Sequence, residues 1–245
     1  MSESSIYAQL KEFLRNHAEN NNLLQERVVI KGRILTSEEA IGNPQRRDFP
    51  LLKGKEKLIQ ADFKGAAGQA FTDSPGNFEG TLAELLAQPV NTHFEKASFI
   101  AVLNAVMRHL GLASGTIHCK DEEPSECAEK LVLDIKREYG VPRIAMIGLQ
   151  PALLEACGDN FPVRVVDLDP DNIGAQKCGV LVEDASTKTR EIIDWADLVL
   201  VTGSTVANGS IVDFIDLPKP AIFYGTTIAG AAPVLGLLRH CWCSK

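Results

Sequence analysis

Four short runs most constrain what this chain can fold into: RIAMI (143–147), VRVV (163–166), LVLV (198–201) and AIFY (221–224). They are nearly continuous in Ile, Val, Leu and Ala rather than alternating with polar residues. That pattern belongs to strands buried on both faces, as in a parallel sheet covered by helices. The intervening segments read accordingly. Cys127–Tyr139, Pro151–Ala156, Thr189–Trp195 and Pro233–Arg239 are expected as helices, Ile211–Ile215 as a helical turn and Gly179–Val182 as a further strand. Strand and helix in alternation imply an α/β domain built on a parallel sheet covered on both faces, placed at residues 116–245.

The first part of the chain has another character. Ser5–Asn20 places Ile6, Leu10, Phe13 and Leu14 at helical spacing, with Ser4 or Ser5 as the expected N-cap. Arg27–Thr36 reads as a strand kinked at Gly32, Lys57–Lys64 as a second and Gly68–Thr72 as a third. Thr81–Ala87 and Lys96–Leu110 follow as helices. Strands first and helices afterwards predict a small α+β domain over residues 1–115. The stretch from Leu112 to Cys127, rich in small and charged residues, is expected to be an exposed linker.

Composition narrows the function classes. The 245 residues carry a formal net charge of −7, with 45% hydrophobic and 23% charged residues, which suits a folded globular protein. No long basic tract is present, so sequence-independent nucleic-acid binding is not expected. Ala221–Leu238 is uncharged for 18 residues, but Gly225, Gly230, Pro233 and Gly236 break it, so no membrane span is expected. The N-terminus lacks a basic region followed by an apolar run, which points to the cytoplasm. There, six cysteines are expected as thiols or metal ligands rather than disulfides.

In open α/β sheets ligands bind beyond the carboxyl ends of the strands. Those ends here read Gly148-Leu149-Gln150-Pro151, Asp167-Leu168-Asp169-Pro170, Thr202-Gly203-Ser204-Thr205 and Gly225-Thr226-Thr227. Polar loops and tight turns account for any one of them; four in succession predict a pocket. The candidate ligand-binding residues are Gly148, Asp167, Thr202, Gly203, Ser204, Thr205, Asn208, Thr226 and Thr227. No Lys-Ser or Lys-Thr follows Gly203, so the loop is not a Walker A element. Gly148 followed by Asp167 imitates a dinucleotide fingerprint without its repeated glycines, and keeps a nucleotide or S-adenosylmethionine in view.

Soft ligands gather separately. His118, Cys119 and Cys127 flank the linker, and the chain closes with His240-Cys241-Trp242-Cys243. A metal site built from His118, Cys119, Cys127, Cys241 and Cys243 requires the C-terminal segment to fold against the linker, or to meet a second subunit. The spacings are not those of a zinc knuckle. Cys157 and Cys178 are expected as ordinary core or loop residues. Glu38 and Glu39 are candidate carboxylates, although Thr36 with Glu39 fits a capping box equally well. Arg46, Arg47, Lys53, Lys55 and Lys57 form a candidate basic patch, and Asn104 stands out as polar among apolar helix neighbours.

The segments DLVLVTGSTVANGS and AIFYGTTIAGAAPVL resemble a family titled putative heavy-metal chelation, most clearly over residues 140–245. The resemblance implies an N-terminal domain similar to the enolase N-terminal fold, a Rossmann-like C-terminal domain and a cleft between them. It implies that Thr202, Gly203, Ser204, Thr205 and Asn208 line that cleft, with Thr226 and Thr227 beside them. No activity follows from it, and the cysteines lie in segments outside its clearest part. Two functions are therefore expected. The first is binding or handling of a metal ion, or of a small molecule that chelates one, in the cleft. The second is an enzyme using S-adenosylmethionine or a nucleotide on a small anionic substrate, with Asp167 on the ribose. A homo-oligomer joined through the C-terminal cysteine segment is a third reading.

Overall fold

The computed structural model describes residues 2–30, 35–53 and 57–245. Helix α1 (Glu3–Asn20) is followed by β1 (Arg27–Ile30), the short α2 (Ser37–Ile41) and a 3-10 turn at Pro50–Lys53. Then come β2 (Lys57–Phe63), β3 (Ala66–Thr72), β4 (Phe78–Thr81), α3 (Leu82–Ala87) and α4 (His93–His109). The four strands form an antiparallel sheet in the order β3-β2-β1-β4. The expected kink at Gly32 lies outside the described residues.

Beyond the linker, α5 (Glu123–Tyr139), β5 (Ile144–Ile147), α6 (Pro151–Gly158), β6 (Val163–Asp167), β7 (Gln176–Lys177) and β8 (Val180–Asp184) follow. After them come α7 (Ala185–Trp195), β9 (Leu198–Thr202), α8 (Thr205–Asn208), a 3-10 turn at Ser210–Asp213, β10 (Ala221–Tyr224), α9 (Ala231–Leu235) and β11 (Arg239–His240). The second sheet runs β11-β10-β9-β5-β6-β8-β7, with all pairs parallel except β7 with β8. Counting from β5 and leaving out β7, this is the doubly wound order 3-2-1-4-5-6. The expected fold class, a small α+β part followed by a Rossmann-like parallel sheet, therefore holds.

The near-continuous apolar strands bury both faces. Along β9, Val199 and Val201 enter one hydrophobic cluster, while Leu198 and Leu200 enter the other. The first cluster also takes Ile59, Ala61 and Phe63 from the small sheet, so one core runs through both halves. Helix α4 sits within it, buried without interruption from Lys96 to Met107. Such all-round burial marks a core helix rather than an amphipathic surface one. Helix α1 packs Ile6, Tyr7, Leu10, Leu14 and Ala18 onto the same cluster. The Tyr7 hydroxyl donates to Val206 O, and the Lys96 ammonium pairs with Glu3. Tyr7→Phe is expected to cost about 1 kcal/mol, read as a lower urea midpoint, because it strands the buried Val206 carbonyl.

Several local expectations need correction. The N-cap of α1 is Ser2, two residues ahead of Ser4 and three ahead of Ser5, and its hydroxyl accepts from Ser5 N. Strand β4 went unread, since Phe-Glu-Gly-Thr has little strand character of its own and is held by pairing with β1. The helix expected through Arg239 stops at Leu235, because Gly236 takes a left-handed φ of +66°. Arg239 and His240 instead pair with β10. Among the described residues, no helix is long and apolar enough to cross a membrane.

Candidate functional site

The strand order reverses at β5 and β9, and a cavity of about 1240 Å³ opens outside their carboxyl ends. Gly148, Asp167, Thr202, Gly203, Ser204, Thr205, Asn208 and Thr227 line it. Gly148 has a φ of +87°, and a Cβ there would stand 2.7 Å from Thr202 Cγ2, so the β5 tip can pass β9 only as glycine. Tyr224 braces the same tip: its hydroxyl donates to Gly148 O at 2.7 Å, with Ile147 O at 3.1 Å.

Several of these side chains are already engaged. Asp167 Oδ2 accepts from Leu149 N at 2.8 Å, while Oδ1 accepts from Asp169 N at 2.7 Å and from Asn172 Nδ2 at 3.3 Å. A carboxylate has about four acceptor positions, so this one is mainly a loop clamp and has little left for a ribose. Thr205 donates to Thr202 O at 2.8 Å, and Asn208 Oδ1 accepts from Ser210 N and Oγ. Thr227 Oγ1 accepts from Phe71 N at 3.1 Å, tying the β10 loop to the small sheet. Thr226 is 1% exposed and is not part of the cavity wall; its hydroxyl has no partner among the described residues. Thr202 and Ser204, 3.3 Å apart through their hydroxyls, sit together on the rim.

The opposite wall was not foreseen. It comes from the first half of the chain and includes Phe49, Phe71, Asp73, His93 and His118. Burial raises the pKa of the Asp73 carboxyl, but hydrogen bonds from His93, whose Nδ1 lies 2.9 Å away, and from Ser74 together outweigh it and hold the group below its usual range. The strand-end rule cannot find such residues, because they reach the cleft from a different sheet.

The wall is acidic. Asp73, Asp167, Asp169, Asp194, Asp213 and Asp216 face it against Arg190 and Lys219. Lys219 donates to Ile193 O and Ala196 O, at 2.6 and 2.7 Å, and Arg190 pairs with Asp194.

The soft ligands divide between two places. His118 faces the cleft; its Nδ1 lies 2.6 Å from Cys119 O, and burial lowers its pKa despite the carbonyls of Cys119 and Ala40. Cys119 and Cys127 are buried behind that wall, and Cys241 and Cys243 are half-buried beside them. The Cys127 and Cys241 thiols are hydrogen-bonded to each other. Among the described residues, no three His, Cys, Asp or Glu side chains are arranged to hold a metal ion. Cys157 is core and Cys178 is exposed.

The lesser candidates are structural. Glu39 and Thr36 form the capping box of α2, with Glu39 Oε2 accepting from Thr36 N at 2.9 Å. Of the basic patch, Arg46 pairs with Asp48 and Glu155, and Arg47 donates to Asn43 Oδ1. Lys55 lies outside the described residues.

Comparison with known proteins bears on the fold. Residues 132–234 match the family described as Putative heavy-metal chelation. That match begins within α5 and ends within α9, and so contains every strand tip on the sheet side of the cleft. A protein with unknown function from the same family, of Pyrococcus horikoshii, superposes with a TM-score of 0.58 at 15% identity, covering 91% of this chain and 79% of its own. Another, from Desulfitobacterium hafniense, gives a TM-score of 0.47 at 15% identity over 73% of this chain and 72% of its own. No curated protein matches the chain. The resemblance to the heavy-metal chelation family therefore holds, and the solved structure from Pyrococcus shares the fold.

Proposed function

We propose that this chain binds a positively charged small molecule that carries a metal ion, seated in the cleft at the tips of β5, β6, β9 and β10. The observation that carries this reading is the wall itself, where six aspartates outnumber one arginine and one lysine. Such a surface attracts cations and repels the small anion of the competing enzyme reading. A cavity of about 1240 Å³ is far larger than an ion needs and is of the size that encloses an organic ligand. The lack of a three-ligand set among the described residues favours a metal that arrives already chelated. Thr202 and Ser204 would supply hydroxyls to the chelating molecule, while the aspartates would balance its charge. The family description points the same way.

The test combines native mass spectrometry with metal analysis on anaerobically purified protein. A bound mass larger than a bare ion, together with a stoichiometric metal, is the expected result. The double variant Thr202→Val, Ser204→Ala is expected to retain that adduct about tenfold less well, as loss of two hydrogen bonds predicts. Metal-free protein, or an adduct indifferent to the double variant, would remove the reading.

A further inference from the structure

The thiols behind the cleft wall form an arrangement that the cleft ligand does not use. Residues 239–245 lie against α5 and the linker through many polar contacts. Arg239 donates to Gly115 O at 2.7 Å, Ser114 O at 3.1 Å and Gly225 O at 3.0 Å. Ile117 and Lys245 exchange backbone hydrogen bonds at 2.7 and 3.0 Å. Trp242 Nε1 donates to Asp134 Oδ2 at 3.0 Å, and the His240 ring lies 3.3 Å from Cys127 O. This docking sets the Cys241 sulfur against the Cys127 thiol, which starts from the first turns of α5. The Cys241 sulfur also accepts the Gly225 N–H, and Gly225 belongs to the cleft wall.

We propose that Cys127 and Cys241 are a dithiol–disulfide pair, oxidised by a low-molecular-weight disulfide, whose closure ties the C-terminal segment covalently to α5. The two thiols are hydrogen-bond partners across the docked segment, and Cys241 is the more accessible of the two. The Cys241 sulfur, having given up its proton, attacks one sulfur of the small disulfide. The S–S bond breaks, and the first small thiolate leaves and takes up a proton. Cys127 then loses its proton and attacks the Cys241 sulfur, and the second small thiolate leaves and is protonated. Both protein thiols are oxidised, and one disulfide is reduced to two thiols. Cys157 shows the contrast: fully buried and raised to about 12 by desolvation, it has no thiol partner among the described residues.

The experiment uses the full chain with excess glutathione disulfide, acid quenching and alkylation under denaturing conditions without reductant. The expected result is the loss of two hydrogens in intact mass and of two alkylation sites, both restored by dithiothreitol. After trypsin, peptide 121–130, which holds Cys127, should be linked to peptide 240–245. The latter contains both Cys241 and Cys243, so variants decide: Cys243→Ser keeps the link and Cys241→Ser abolishes it. A link that survives in Cys241→Ser overturns the proposal. So does a link from peptide 109–120, which carries Cys119, a stable mixed disulfide that goes no further, or full alkylation of every thiol. None of these outcomes depends on what occupies the cleft.

Discussion

Asn104→Ala is expected to lower unfolding stability by about 3–5 kcal/mol, seen as a fall in urea midpoint at unchanged slope. The side chain is fully buried on α4 and joins three segments. Its Nδ2 donates to Gln69 O at 2.8 Å and Thr227 O at 3.0 Å, with Thr226 O at 3.3 Å, and its Oδ1 accepts from Gly230 N at 2.6 Å. Alanine leaves buried main-chain groups of β3 and the β10–α9 loop without partners, each costing about 1–3 kcal/mol. Asn104→Asp separates shape from bonding, since it fits the space and can accept from Gly230 but presents a carboxylate to three carbonyls. It should be no more stable than the alanine variant. A loss below about 1 kcal/mol for alanine would mean that the amide does not bridge the two halves.

Gly68→Ala is expected to cost more than about 3 kcal/mol, with helix and sheet forced apart where they meet. A Cβ at this position would stand 2.2 Å from Ala105 N and 2.3 Å from Ala101 O, both backbone atoms of α4. No rotamer change relieves that overlap, so the helix must shift, and Asn104 shifts with it. Gly65→Asn supplies the control in the same hairpin. Its φ of +81° is one that asparagine tolerates, and nothing lies within 4 Å of the added Cβ, so its effect should stay within about 1 kcal/mol. Thermal or urea unfolding of the pair settles the matter. Similar losses for both would show that chain stiffness, rather than contact with α4, governs this strand.

The parallel half was legible because its strands are apolar on both faces, so AIFY and LVLV announced themselves without their partners. Most helix ends there fell within a few residues, since Pro151 and Gly140 mark them directly. β4 and β11 were illegible for the opposite reason: four and two residues respectively, they are strands only because β1 and β10 lie beside them. At the cleft, the strand-end rule found one wall and missed Asp73 and His93, which a different sheet delivers. Sequence also could not distinguish a clamp from a ligand. Asp167 stands where a ribose partner would stand, yet its bonds to Leu149 and Asp169 hold the loop. The cysteines did converge across long sequence separation, whereas His118, beside Cys119, turned to the other side of the wall.

The two margins of the seven-stranded sheet are each only two residues long, Gln176–Lys177 and Arg239–His240, and each carries a cation. A neighbouring molecule seeking to extend the sheet would find almost no free ladder to zip onto. Concentrated solutions of the folded protein should therefore resist fibril growth, and any fibrils that form should require prior unfolding.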